Sequence, residues 1–159
     1  MTELTFRNAM DAYGDTVYRL ALCRTQSSAD TEDVYQEVFL RLWKQPSEDW
    51  AGERVKAWLI RTTLNCCADL HRFRLRRPVL SLEEVPELAQ PDDEARELWA
   101  AVARLPEKLR TAIHLHYAEG YSAEEIAGLL GIPAATVRTR LHRGRKQLKI
   151  LLGGSDDEA

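Results

Sequence analysis

The stretch PVLSLEEVPELAQPDD, residues 78–93, carries Pro78, Pro86 and Pro91 and no steady hydrophobic period. Proline lacks the amide donor and clashes with the preceding turn, so neither a long helix nor a central strand can run through it. The pattern on either side is helical. Apolar residues recur at spacings of three and four, as in Phe6, Met10, Tyr13, Val17 and Leu20, and no segment keeps the two-residue alternation of a strand. The 159 residues are therefore expected to be all-α: two small helical domains, 1–77 and 93–152, joined by a flexible linker, 78–92, and followed by a disordered tail, 153–159. Helices are expected over about 3–24, from Ser27 or Ser28 to Lys44, from Glu53 to Arg72 or beyond, and over about 93–104, 107–118, 123–130 and 134–151.

The C-terminal domain has the clearest local plan. Ser122-Ala123-Glu124-Glu125 is a capping box that starts a helix at Ser122. Gly131 can take the left-handed turn that ends it, and Pro133 suits the first turn of the next helix. Two helices joined by a short turn containing Gly form a helix-turn-helix, whose second helix enters the DNA major groove. That second helix holds six Lys and Arg and no carboxylate between residues 136 and 149, in a chain of formal net charge -3. At 100° per residue, Val137, Leu141, Gly144 and Leu148 share one face and can pack on Ile126 and Leu130. The opposite face carries Thr136, Arg138, Thr139, His142, Arg143 and Lys146. Arg suits a guanine edge, and Thr and Lys suit phosphates.

A second basic block lies at residues 51–80, with seven Lys and Arg against two acids; the stretch 81–100 between the blocks has one against seven. Two separated basic blocks fit two contacts with a polyanion. In the third helix Val55, Trp58, Leu59, Thr62, Cys66 and Leu70 form an apolar face. Beside it Arg61, Asn65, Arg72 and Arg76 fall within an arc of about 80°. Trp58 borders this arc, and two readings stay open: a core residue, or a platform for an unpaired base. In the second helix, DVYQEVFLRLWK, apolar residues sweep about 180°, more than one buried face requires. A three-helix domain has little room to bury both sides, so a partner surface is expected there.

Other function classes lack support. No window approaches the roughly 20 apolar residues of a membrane span, so no membrane insertion is expected. The N-terminus has no basic segment followed by an apolar run, which argues against a secretory signal. Cys23, Cys66 and Cys67 form no CxxC pair, which favours a reducing, cytoplasmic setting. Cys67 and His71 lie four apart, but two ligands do not complete a tetrahedral zinc site. No Gly-rich phosphate loop or convergent acid/base pair is visible. No metal, no cofactor and no enzymatic activity are expected.

Together these segments resemble the extracytoplasmic-function (ECF) group of sigma factors of bacterial RNA polymerase, over roughly residues 5–150. DTEDVYQEVFLRLWK resembles the family's core-polymerase-binding helix. AWLIRTTLNCCAD, residues 57–69, with the arginines after it, resembles the segment that recognises and melts the -10 element. Residues 105–148 resemble the domain that reads the -35 element. The resemblance implies that Asp33, Gln36, Glu37, Phe39, Leu40 and Trp43 lie on or near the clamp helices of the polymerase largest subunit. It implies that Asn65 captures a flipped non-template base, with Trp58, Arg61, Arg72, Arg76 and Arg77 on that strand or the upstream duplex. Arg138, Thr139, His142 and Arg143 match the -35 reading positions. The implied partners are core RNA polymerase, promoter DNA and, as in many ECF relatives, an anti-sigma factor. Tyr35 departs from the pattern, standing where a small aliphatic residue is usual, as does Thr31 where Ala is common. The alternative, a stand-alone helix-turn-helix regulator, accounts for residues 122–149 but leaves the wide apolar face of the second helix without a use.

Overall fold

The computed structural model describes residues 1–46, 52–76 and 93–153, and every regular element among them is helical. The chain divides into two compact units, Met1–Pro86 and Glu87–Ala159. The expected linker, 78–92, lies outside the described residues, as does the expected tail beyond Gly153.

The first unit contains α1 (Glu3–Thr25), α2 (Ser28–Trp43) and α3 (Gly52–Arg76). The Thr2 side chain accepts from the Thr5 amide at 3.2 Å and starts α1. Gln26 ends it at φ 54°, in the left-handed region. Ser27 opens α2 at once, its hydroxyl accepting from the Asp30 amide at 3.2 Å. Of the two serines that the sequence offers as caps, Ser27 is the one used. This tight turn lays α2 back along α1.

Val17, Leu20, Val38, Leu42, Leu59 and Ile60 have no exposed surface and centre the core of this unit. Each such side chain contributes about 1.5–3 kcal/mol through burial. The expectation for α2 needs correction here. α2 packs on both α1 and α3, so most of its wide apolar arc is internal: Val34, Val38, Phe39 and Leu42 are all buried. Only Leu40 and Trp43, 47% and 45% exposed, remain outside as large apolar residues of that sweep.

Both unusual residues of α2 have physical accommodations. Thr31 has no exposed surface, and its hydroxyl is 2.9 Å from the Thr25 hydroxyl, so its polar atom is satisfied. The Tyr35 ring packs against Tyr18 and Phe39, with centroids 6.3 and 4.8 Å apart. Its hydroxyl lies over Gly14 of α1, where a Cβ would sit 3.1 Å from it. The larger side chain on α2 fits because the facing position on α1 has none. Burial raises the Tyr35 phenol above its ordinary value, and Asp15 and Glu32 add to the rise.

The second unit contains α4 (Asp93–Ala103), α5 (Glu107–Ile113), a π-turn (His114–Ala118), α6 (Ala123–Leu130) and α7 (Ala134–Leu151). The sequence predicts one regular helix over 107–118; the structure widens it from His114 onward. The Glu119 amide donates to the His114 carbonyl at 3.2 Å, and the Tyr121 amide to the Leu115 carbonyl at 3.0 Å. The wider turn places Glu119 Oε1 3.4 Å from Nε2 of the buried His114, whose ring meets the edge of Trp99.

The capping box of α6 has both arms: Ser122 Oγ accepts from the Glu125 amide at 3.1 Å, and Glu125 Oε1 accepts from the Ser122 amide at 3.0 Å. Gly131 ends α6 at φ 68°, a conformation in which an L side chain is strained. Pro133 stands as the cap before Ala134, not as the first helical residue. Ile126 and Val137 are fully buried between α6 and α7. At Gly144, α7 packs so close to α5 that a Cβ would lie 2.7 Å from Ile113 Cγ1.

Candidate nucleic-acid and partner interfaces

α7 sorts its residues cleanly. Val137, Leu141, Gly144 and Leu148 are buried, while Arg138, Thr139, His142, Arg143 and Lys146 are exposed and Thr136 is half-buried. All six residues expected to face DNA therefore lie on the solvent side of one helix. Their hydrogen-bond capacity is partly engaged. The Thr139 hydroxyl donates to the Ala135 carbonyl at 3.0 Å, which leaves its lone pairs to accept from outside. Arg138 Nη1 donates to Glu124 Oε1 of α6 at 3.0 Å. The sequence places Glu124 in the first turn of α6, but its reach across to α7 is a tertiary fact that no local pattern carries.

On α3, Arg61, Asn65 and Arg72 are exposed along one side. The arc is not purely cationic: Asp69, between Asn65 and Arg72, pairs with Arg72. Arg76 ends α3, but its side chain lies outside the described residues, as does Arg77 altogether. Trp58 is half-buried and packs against the core of the first unit, so its ring is divided between core and surface. Phe73 was missed by sequence reasoning. It is 54% exposed on the same helix as the basic arc. The signal was its register: at 100° per residue Phe73 falls on the line of Val55, Cys66 and Leu70 and continues that apolar face among arginines.

On α2, Asp33, Gln36, Glu37, Leu40 and Trp43 are exposed and fall within an arc of about 120° at 100° per residue. Phe39 does not join them. It is 4% exposed and faces inward, because its position turns it toward α1. Its ring meets Phe6 and Tyr35 with centroids 6.2 and 4.8 Å apart. Phe39 thus lines a groove of about 600 Å³ between α1 and α2, whose other apolar walls include Phe6, Met10, Leu40 and Trp43. The rings of Phe6 and Trp43 meet edge-on at 5.2 Å.

Cys66 and Cys67 are buried. Burial pushes the Cys66 thiol up, with Arg41 pulling it the other way. Among the described residues no group of three or more His, Cys, Asp or Glu is placed to hold a metal ion, and no helix is long and apolar enough to cross a membrane.

Comparison with known proteins matches both halves. The family described as Sigma-70 region 2 matches residues 9–77, and that described as Sigma-70, region 4 matches residues 95–148. The chain is 35% identical over 160 residues to the ECF RNA polymerase sigma factor SigE of Mycolicibacterium smegmatis, covering 92% of this chain and 61% of that protein. It is 34% identical over 155 residues to the ECF RNA polymerase sigma factor SigL of Mycobacterium tuberculosis, covering 92% and 88%. Among solved structures, the sigma factor RpoE, in complex with the anti-sigma factor NepR from Bartonella quintana, aligns with a TM-score of 0.78. The identity there is 25%, over 93% of this chain and 96% of that one. The chain belongs to the ECF sigma factors of bacterial RNA polymerase, within the sigma-70 family.

Proposed function

We propose that this ECF sigma factor directs promoter-specific transcription initiation through three surfaces, each on a different helix. The exposed side of α2, with Asp33, Gln36, Glu37, Leu40 and Trp43, docks on core RNA polymerase, and Phe39 supports it from beneath. α7 lies in the major groove of the -35 element, where Arg138, Thr139, His142 and Arg143 reach base edges while Thr136 and Lys146 hold phosphates. α3 holds the unpaired -10 strand. The Asn65 amide can both donate to and accept from an unpaired base edge, Trp58 flanks it, and Arg61, Arg72, Arg76 and Arg77 neutralise the backbone. The observation that carries this reading is the sorting of α7: a buried apolar seam and, opposite it, a basic face without a carboxylate of its own.

Opening the duplex costs about 1.4 kcal/mol per stacked step, and stacking an extruded base on an aromatic ring returns about 1–3 kcal/mol. Binding the open strand therefore selects the open state from a pre-existing equilibrium. Domains 1–77 and 93–152, tethered by residues 78–92, raise each other's effective concentration at the promoter. The chain acts by binding, leaves bond formation to the polymerase, and works in the cytoplasm where polymerase and DNA meet. The sigma factor RpoE was solved with an anti-sigma factor; an anti-sigma factor is also the regulator proposed for this chain. A stand-alone regulator is not favoured, because the chain matches sigma-70 region 2 as well as region 4 and its relatives are ECF sigma factors over both halves.

Run-off transcription from a random promoter library, with and without the protein added to core polymerase, tests the reading. Specific transcripts dependent on the protein are expected; their absence sinks it. Asn65→Ala should keep polymerase binding and lower open-complex formation, and normal melting by that variant would remove Asn65 from the -10 site.

A further inference from the structure

The contact between Arg138 and Glu124 is an ion pair between two helices, at 3.0 Å, with the side chains 59% and 71% exposed. An exposed pair of this kind contributes little to folding. Its geometry nonetheless does something for Arg138. A free arginine on a helix surface samples many rotamers, and each must be given up when the guanidinium meets a base edge. Glu124 sits in the first turn of α6, which is anchored by its capping box and by the buried Ile126. The backbone that carries Glu124 is therefore fixed, and one donor of Arg138, on Nη1, is committed to its carboxylate. The guanidinium carries five donors. Nη2 and Nε stay available for the two-pronged contact that a guanine edge accepts.

We propose that Glu124 is a positioning residue for Arg138: it holds the guanidinium in a base-reading pose and so sharpens preference at one base pair of the -35 element. The inference rests on the reading of α7 as the -35 reader. It also has a cost: a carboxylate beside the groove repels phosphate and lowers binding to all sequences alike. Removing it should raise general affinity and flatten preference at one position, a combination that loss of fold does not produce.

The test uses holoenzyme made from core polymerase and the full chain, on a promoter library randomised across the -35 element. The chains compared are wild type, Glu124→Ala, Arg138→Ala, the double variant, and Glu125→Ala. Glu124→Ala is expected to reduce preference by about two- to five-fold, at the same base pair that Arg138→Ala affects. The double variant should match Arg138→Ala alone, because two residues acting as one unit are not additive. Glu125→Ala removes an arm of the capping box that anchors α6 and should lower thermal stability; any change it makes in preference should fall at that same base pair. Should Glu124→Ala fail to fold, Glu124→Gln removes the charge with the side-chain shape kept and is read in the same assay. A wild-type profile for the Glu124 variant, or a change at a different base pair, overturns the inference while leaving the -35 reading intact. An unchanged profile for Arg138→Ala overturns both.

Discussion

Position 144 tolerates a hydrogen and little more. Alanine there would gain about 1 kcal/mol of helix propensity, but its Cβ would lie 2.7 Å from Ile113 Cγ1. That atom is not the free end of a side chain, and Ile113 is itself buried, so the overpacking cost of about 1–3 kcal/mol wins. Gly144→Ala is expected to lower the unfolding midpoint in urea. In an Ile113→Ala background the same change should be neutral or stabilising, and an equal loss in both backgrounds would contradict the close approach. Tyr35 gives a pH-dependent counterpart. Its folded-state phenol lies above the ordinary 10.0, so as pH rises the unfolded chain releases the proton first and binds fewer protons than the folded one. Stability must then fall with pH. The contribution is whole below 10.0 and lost as pH climbs through the higher folded value. Tyr35→Phe should make the alkaline decline in stability shallower than in wild type, measured by denaturation across that range.

At the scale of the element, the proposed docking surface of α2 is set apart from the residues that fold it. Leu40 and Trp43 are nearly half exposed, whereas Phe39 is buried. Replacing Leu40 and Trp43 together by Ala should leave the helix content and melting nearly intact yet weaken binding to core polymerase by about 2 kcal/mol or more, as interface anchors do. Phe39→Ala should instead destabilise the first unit by about 3–5 kcal/mol. The opposite ranking would show that the docking surface has been misassigned. Helix ends were legible because their chemistry is local: Ser122 with Glu125, Gly131, and Ser27 each satisfy backbone groups within a few residues. The width of the apolar arc on α2 misled because periodicity counts apolar residues without counting the helices that cover them. The π-turn escaped prediction for a similar reason. It is tied to where Glu119 meets His114 inside the unit, and nothing in the spacing of apolar residues over 107–118 announces it.

For the whole molecule, the proline-rich stretch and the charge blocks carried most of what could be read. They separate two helical units; among the described residues Arg54, Arg61 and Arg72 of the first basic block lie exposed on α3, and most of the second block lies exposed on α7. Contacts between residues distant in sequence stayed hidden: Arg138 with Glu124, and Tyr35 over Gly14. The last of these reaches beyond the present chain. A phenol occupying the space that another residue's first carbon needs ties the histories of the two sites together. A lineage that gained a side chain at position 14 while keeping Tyr35 would have to move the phenol by a few tenths of an ångström, so a change at one site alters what the other can accept.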